Sequence, residues 1–312
     1  MPSSTPASAY RADAAVWGGM VTLWFVWGST YLGIAYVVEE MPTLLAIGMR
    51  YVTAALLLAG FLVIRRGPSA LRRPRAEIQR AALEGVLLIG AGNGAVSLSE
   101  SHVPSGVVAI IVAMMPMWVA VLRTVTGDRP SVVTVLGILI GMSGVALIVF
   151  SGERSLSDGS SSTRTWWSLA VVLGTLGWAS GSFFGPRIAA RRDPLVGTVW
   201  HMAIGGGFMA SIGFITGERT TQVADASAKA WWALAFLIVV GSLIGQTTFT
   251  WLLGSGAPLS LVATYTYVNP VVALLLGAWF HNEGFDPKVL LGGAVVLSAI
   301  AIVARGESVR HR

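Results

Sequence analysis

The chain has 312 residues, of which 54% are hydrophobic and 12% are charged. Charged residues make up about 25% of an ordinary water-soluble protein, about twice the share found in this chain. It has no cysteine, which excludes disulfides, thiol catalysis and thiolate metal sites. The net charge of +6 would favour a nucleic-acid partner only if the cations formed a patch on one face, and they are instead spread over the segments between apolar stretches.

Ten apolar stretches fill the chain, and each is close to the ~20 residues that an α-helix needs to cross ~30 Å of hydrocarbon. The first is too long for the core of a signal peptide and is expected to be retained as a helix. Residues 1–15, rich in Ser, Ala and Pro, are expected to be a disordered cytoplasmic tail, and residues 305–312 a second cytoplasmic tail. The sequence therefore predicts an all-α membrane protein with transmembrane helices over residues 16–38, 43–64, 81–99, 104–123, 131–150, 166–186, 195–216, 231–253, 258–280 and 288–304.

The basic residues indicate how these helices are oriented. With the N-terminus in the cytoplasm, 15 of the 21 Lys and Arg residues fall in cytoplasmic segments, five fall in external segments and Arg50 lies within a span. The positive-inside rule then places both termini in the cytoplasm and makes residues 152–165 an external linker. The basic run from Arg65 to Arg80 is expected of a cytoplasmic loop and needs no nucleic-acid ligand.

The chain also repeats itself. Span four carries Pro104 and Pro116, span nine carries Pro258 and Pro270, and an offset of 154 residues relates the two pairs. Span one matches span six less closely, through a Trp-Gly-Ser triplet in one and a Trp-Ala-Ser triplet in the other.

Two five-helix repeats, residues 16–151 and 166–304, are the simplest account of these matches. Because five is odd, the second repeat enters the membrane from the side opposite to the first, which makes an inverted repeat. Carriers that work by alternating access have this architecture, and their substrate sites lie near the membrane midplane, where helices are commonly broken.

Proline and polar residues near the midplane are the first candidates for such a site. Pro116 and Pro270 each remove an amide donor from a span, which predicts kinks that line a cavity or kinks that neighbouring helices satisfy. Span nine has the most polar stretch inside the predicted membrane, with Tyr265, Tyr267 and Asn269 before Pro270. These side chains must face protein or water. Asn269 suits a zwitterionic or amide ligand, and a hydrogen bond between helices is an equally physical use.

Aromatic residues deep in the spans are the second group of candidates. Trp27 and Tyr31 share one face of span one by their spacing of four residues, and Trp178 lies well inside span six. Such a face lines a pocket for flat or apolar ligands, or it packs between helices. The sequence leaves both uses open.

Few charges enter the spans, and each is a functional candidate because burial is costly. Arg50 is expected to snorkel toward the external face, and an offset of 151 residues pairs it with His201 in span seven. Glu84, near the inner end of span three, would relay protons if buried, and a solvated position at the interface is the alternative. Because the sequence has no phosphate loop, HExxH pair or GxSxG elbow, we expect no enzyme activity, no cofactor and no bound metal.

These segments resemble the drug/metabolite transporter superfamily, in particular its EamA-type ten-helix members, over residues 16–304. The motifs that carry the resemblance are Trp27-Gly28-Ser29-Thr30-Tyr31-Leu32, Arg50-Tyr51, Gly92-Asn93-Gly94, Val103-Pro104-Ser105-Gly106 and the stretch TYTYVNPVVA that begins at Thr264. The second half departs from the family pattern in span six, where Ser180-Gly181-Ser182 stands instead of the fuller motif, and at His201, which replaces an arginine.

The resemblance implies a carrier of the bacterial inner membrane that exports amino acids, other metabolites or toxic compounds. It also implies a central cavity formed mainly by helices one, three, four, six, eight and nine. Members of such a family do not share one substrate, so the resemblance does not name it. A carrier of phosphorylated sugars would need Lys or Arg side chains that converge at the midplane, and the sequence is expected to place none there.

The leading hypothesis is a secondary transporter that exports a small uncharged or zwitterionic metabolite, such as an amino acid with an aromatic side chain, by alternating access. A multidrug or toxic-compound efflux carrier of the same fold and a non-transporting membrane scaffold or sensor are the alternatives. The expected partners are a small-molecule substrate and the lipid bilayer; protons are a candidate coupling ion, and a monomer and a homodimer both fit. The candidate substrate-binding residues are Trp27, Tyr31, Asn93, Trp118, Trp178, Gln246, Tyr265, Tyr267 and Asn269.

Overall fold

A computed structural model of the protein describes residues 14–127, 131–150, 161–188, 193–255, 257, 262–263, 265–281 and 287–310. Over these residues the chain forms ten successive helical spans and no β-strand. The expected tail up to residue 13, residues 152–160 of the expected linker and Pro258 of the repeated proline pair lie outside the described residues.

The helices of the first half are α1 (Ala14–Val38), α2 (Thr43–Arg66), α3 (Arg75–Glu100), α4 (Ser105–Val125) and α5 (Val132–Phe150). Those of the second half are α6 (Ser161–Ile188), α7 (Pro194–Ile215), α8 (Ala228–Gly254), α9 (Tyr265–Phe280) and α10 (Pro287–Arg310). Seven of these described helices are long and apolar enough to cross a membrane, and α5, α9 and α10 carry shorter apolar segments. The last helix continues past the expected end of span ten at residue 304.

Equivalent helices of the two halves run antiparallel, as an inverted repeat requires. Along the contact between α2 and α7, Gly48 faces Ala210 and Tyr51 faces Gly206, so residue numbers rise along one helix as they fall along the other. The helices α5 and α10 pair in the same way. Small residues at these crossings let the two backbones approach closely. The ten helices therefore form two five-helix halves of opposite orientation.

Both α3 and α8 contain a π-helical segment, over Val86–Asn93 and Leu237–Ile244. An offset of 151 residues relates the first and last residues of the two segments. A π-helical segment has a wider turn than an α-helix and occurs frequently at functional sites. Each segment is followed by a glycine, Gly94 or Gly245, at which the α-helix resumes.

We call the side of the bundle that carries the connection 39–42 the first face. There the Glu218 carboxylate accepts hydrogen bonds from the amides of Leu44 and Leu45, at 3.1 and 2.7 Å, at the start of α2. Amides in the first turn of a helix have no partner within that helix, so a residue of the second half caps a helix of the first. Glu40 in turn accepts hydrogen bonds from the amide and hydroxyl of Ser227, at 2.7 and 2.8 Å, where α8 begins. Each half thus supplies a carboxylate that accepts hydrogen bonds at the start of a helix of the other half.

Further contacts on the first face bring α1, α8 and α9 together. A carboxylate oxygen of Glu39 lies 2.9 Å from the Nε2 atom of His281, just after α9. The Tyr36 hydroxyl donates to the carbonyl of Phe280. The ammonium group of Lys229 lies 3.7 Å from the centre of the Tyr36 ring, within the range of a cation–π contact.

We call the opposite side of the bundle, with the connection 67–74, the second face. Arg66 at the end of α2 forms an ion pair with Asp193, just before α7. The same carboxylate group accepts a hydrogen bond from the amide of Leu195 at 3.1 Å and so caps α7. The ends of α2 and α7 are therefore joined on both faces.

Candidate functional site: a central cavity

A cavity of about 60 Å³ lies between the two halves. Its walls come from α1, α2, α3 and α4 of the first half and from α6 and α9 of the second. Such a volume holds a few water molecules or the head group of a small solute. The residues that line it are Trp27, Thr30, Tyr31, Ile34, Arg50, Tyr51, Gly92, Asn93, Val96, Val112, Thr175, Trp178, Tyr265 and Asn269.

The structure thus brings six of the nine candidate residues to one place, together with Arg50. Three further lining residues, Thr30, Ile34 and Thr175, could have been found from the sequence, since each lies three residues from a candidate aromatic on the same helix. The remaining lining residues, on α2, α3 and α4, do not lie three residues from a candidate aromatic, although Tyr51 and Gly92 belong to motifs that carry the family resemblance.

Aromatic rings close one end of the cavity. The Trp27 ring meets Trp178 and Tyr265 edge-on, with ring centres 5.5 and 4.8 Å apart, and it meets Phe249 at 5.1 Å. The helix α1 ends at the first face, and Trp27 lies one turn before Tyr31 along this helix. Trp27 and the rings around it are therefore farther from the first face than Tyr31 is. This four-ring cluster separates the cavity from the second face.

The two tryptophans of this cluster pack against the helices that contain the π-helical segments. The Trp27 indole nitrogen donates to the carbonyl of Gly241 at 3.2 Å, and the indole packs so closely on Gly245 that a Cβ there would overlap it. Trp178 packs in the corresponding way on Gly92 of α3, where a Cβ would lie 2.7 Å from the ring. Glycine at these positions lets each indole pack directly on the backbone of the facing helix.

Among the described residues that line the cavity, Arg50 is the one with a charged side chain. It is only 3% exposed, and its Nε donates to the Ser242 hydroxyl at 2.8 Å. Its guanidinium carbon lies 4.8 Å from the centre of the Tyr51 ring. The expectation that Arg50 snorkels outward is not met, because the π-helical segment of α8 presents Ser242 as a hydrogen-bond acceptor in the interior.

Asn269 joins α9 to α1 at the edge of the cavity. In the orientation that satisfies its hydrogen bonds, its side-chain amide donates to the carbonyls of Tyr265 and Trp24, at 3.0 and 3.1 Å. The residue therefore lines the cavity and bonds two helices at once. Pro270, which follows it, lies inside continuous helix.

The helix α4 is interrupted at Ala113 and Met114, two residues before Pro116. The proline then stands in the first turn of the next helical segment, where a missing amide costs least. Trp118 lies beyond this interruption. It packs against a cluster that includes Phe183, and it does not line the cavity.

Gln246 is buried but does not line the cavity either. Gly245 is the residue of α8 that faces Trp27, and the next residue of a helix is rotated by about 100°. Gln246 therefore points away from the Trp27 ring. The side chain of Tyr267 lies outside the described part of the chain.

The other charged candidates lie apart from this cavity. His201, which corresponds to Arg50 in the second half, is buried on α7, and neither of its ring nitrogens has a hydrogen-bond partner among the described residues. Glu84 lines a second pocket, of about 290 Å³, on the second face between α3, α6 and α7. The first half thus supplies a charged side chain, Arg50, to the central cavity, whereas the equivalent residue of the second half, His201, does not line it.

Two inverted five-helix halves around a small central cavity define a multi-pass membrane carrier fold. The model of the EamA-like transporter family matches residues 17–150 and 165–305. The chain belongs to the EamA-like transporter family, which comprises transporters and not enzymes.

Relatives cover nearly the whole chain. The "Uncharacterized inner membrane transporter YedA" of Escherichia coli strain K12 is 31% identical over 299 residues, which are 96% of this chain and 93% of that protein. A "Probable terminal-alkyne amino-acid exporter" of Streptantibioticus cattleyicolor is 25% identical over 308 residues, 97% of each chain. A solved protein crystal structure has the same fold, with a TM-score of 0.65 at 16% identity over 94% of this chain and 98% of the other.

Proposed function

We propose that the protein is a secondary transporter of the bacterial inner membrane that exports small amino-acid-like metabolites by alternating access. The observation that carries the proposal is the cavity enclosed between two antiparallel halves, with the equivalent residues Trp27 and Trp178 at its end. In carriers built from inverted repeats, one half rocks against the other and opens the site to each compartment in turn.

The distribution of charge supports an orientation with the second face in the cytoplasm. The connection 67–74 on that face contains Arg72 and Arg73 and follows directly after Arg65 and Arg66. Loops rich in Arg and Lys stay in the cytoplasm during insertion. Both termini are then cytoplasmic, and the contacts of the first face form the external closure of the cavity.

The contact between α3 and α6 supports a route for export. Gly185 packs on Glu84, Gly181 on Leu88 and Gly177 on Ala91. The pocket of the second face lies at the Glu84 end of this contact, and the central cavity begins beyond Ala91. The small residues let α3 and α6 pack closely, and a movement of one helix along the other would open a path from the cytoplasmic pocket to the cavity.

Two observations favour amino acids over other solutes. The relative from Streptantibioticus cattleyicolor is named as a probable amino-acid exporter. The cavity combines aromatic rings with hydrogen-bonding groups, which suits a small molecule that has an apolar part and a polar part. Efflux of cationic drugs is the weaker alternative, since the charged residue at the cavity is Arg50, which repels cations.

The experiment that tests this proposal is transport by the purified protein in proteoliposomes. We expect radiolabelled L-phenylalanine, L-leucine or L-threonine to enter faster than into empty vesicles. Preloading the vesicles with the same unlabelled amino acid should accelerate entry, because exchange is a property of a site exposed alternately to the two sides. If none of the three enters above the empty-vesicle rate, the proposal is wrong.

A further inference from the structure

Arg50 has an unfilled hydrogen-bonding capacity at the cavity. Its Nη1 atom is buried and has no hydrogen-bond partner among the described residues, whereas its Nε is held by Ser242. A buried charged group without its hydrogen bonds is unfavourable, and such groups in native proteins are normally satisfied. An acceptor that the protein does not itself supply would therefore be bound strongly at this position.

The surrounding side chains hold the guanidinium in place. A Cβ added at Gly241 would lie 2.8 Å from the Arg50 Nη2 atom, so glycine at this position leaves room for the guanidinium beside α8. Glu100 at the end of α3 interacts with Arg50 electrostatically and balances part of its charge. The guanidinium is thus fixed before a ligand arrives, which lowers the entropic cost of binding.

The chemistry of the ligand follows from this arrangement. Guanidinium groups donate to carboxylates in charge-assisted hydrogen bonds, which are about twice as strong as neutral ones. The indole nitrogen of Trp178 lies close enough to the Tyr265 side chain to interact with it. The guanidinium of Arg50 is therefore the donor that the cavity offers to an anionic group beside the aromatic rings.

The asymmetry of the two halves limits the charge of that group. A phosphate ester or a dicarboxylate would require several cations, and the second half carries His201, which does not line the cavity, at the position equivalent to Arg50. The single positive charge of the Arg50 guanidinium balances the single negative charge of one carboxylate.

We propose that Arg50 binds the carboxylate of the transported solute, and that the protein selects monocarboxylates with an apolar or aromatic side chain, amino acids among them. This inference rests on the proposed transport function and adds a specificity-determining residue to it. The sequence alone did not indicate this role, because the expected outward direction of Arg50 placed its charge away from the midplane.

The test compares ligands with and without a carboxylate. In proteoliposomes, the unlabelled amides of L-phenylalanine, L-leucine and L-threonine compete with uptake of the corresponding labelled amino acids. For the wild-type protein we expect each amide to need a concentration about tenfold higher or more than the free amino acid, since a hydrogen bond to a charged group contributes ~1.5–3 kcal/mol. In Arg50→Gln we expect this preference to disappear. The matched control Arg65→Gln removes an exposed arginine on α2 and should keep it.

The outcomes separate the two proposals. If an amino acid is transported and its amide competes equally well with the wild-type protein, Arg50 does not bind the carboxylate, while transport stands. If Arg50→Gln is active and keeps the full preference, the inference is likewise wrong. If Arg50→Gln does not fold, the comparison of ligands on the wild-type protein decides. If no amino acid is transported, the proposed function fails and this inference fails with it.

Discussion

Trp27 and Trp178 occupy equivalent positions of the two halves and meet edge to face, with their ring centres 5.5 Å apart and their planes at 85°. Each indole packs on the helix that carries a π-helical segment in the opposite half, α8 for Trp27 and α3 for Trp178. Any rearrangement of one half relative to the other must change this contact. The following predictions test how the cavity and its closures depend on such contacts.

Gly241→Ala should destabilise the protein and impair transport. The added Cβ would lie 2.8 Å from both the Arg50 Nη2 atom and the Thr30 Cγ2 atom, and overpacking of this kind costs about 1–3 kcal/mol. The matched control is Gly207→Ala on α7, where nothing lies within 4 Å of the added Cβ. Thermal unfolding in detergent should show a lower midpoint for Gly241→Ala and an unchanged or slightly higher one for the control. Equal midpoints would contradict the close approach of Arg50 to α8.

Cysteines placed in this cysteine-free chain should distinguish a wet cavity from packed protein. Asn93→Cys and Thr175→Cys line the cavity, whereas Leu56→Cys lies on the outer surface of α2, where the native side chain is 66% exposed. A hydrophilic maleimide should label the two cavity positions in membranes and leave Leu56→Cys unlabelled, because that position faces lipid. Labelling of neither cavity position would support a non-transporting scaffold whose interior is dry.

Removal of the Glu218 carboxylate should loosen the first face. Glu218 accepts hydrogen bonds from two amides at the start of α2, and the loss of a helix cap costs ~1 kcal/mol. We expect Glu218→Ala to lower the unfolding midpoint, and Glu218→Gln to lower it less, because its carbonyl still accepts one hydrogen bond. Asp225→Ala, an exposed carboxylate on the same connection, is the control and should have no comparable effect. A Glu218→Ala protein as stable as this control would show that the cap contributes nothing.

The contact between Glu40 and Ser227 should depend on pH. The amide and hydroxyl of Ser227 donate to the carboxylate and lower the pKa of Glu40 from its usual value. A lowered pKa in the folded state means that Glu40 stabilises the protein above its unfolded-state pKa, about 4.3, and that this contribution is lost as the pH falls through the folded-state pKa. Wild-type protein should therefore unfold at a higher temperature than Glu40→Gln at pH 7, and the difference should shrink below about pH 4. A difference that does not change with pH would argue against an ionised Glu40 in this contact.

The number of helices and the opposite orientation of the two halves could be predicted from the sequence, because both follow from the length and number of the apolar stretches. An apolar stretch of ~20 residues forms one span, and an odd number of spans in each repeat inverts the second copy. Trp27 and Tyr31 share one face of α1, as their spacing of four residues predicts, and both line the cavity together with Trp178 and Tyr265.

The position of Arg50 could not be predicted in this way. Its inward direction depends on Ser242, which is 192 residues away in the sequence and lies in a π-helical segment. The segment VLLIGAGN at Val86–Asn93 looks like any apolar helix, and only its glycines hint at irregular backbone. Gln246 does not line the cavity for a related reason, since it lies one residue past Gly245, the residue of α8 that faces Trp27, and is rotated by about 100° from it.

The matching wide turns of α3 and α8 also bear on the history of the molecule. Because both occur at one offset, the simplest origin is a single five-helix ancestor that already contained the irregular turn before its gene was duplicated. The backbone has since been kept in both copies, while the side chains around it have diverged to arginine in one and histidine in the other. The wider turn is thus common to the two halves, whereas the residue at the equivalent position of α2 and α7 differs, with Arg50 at the cavity in the first half and His201 away from it in the second.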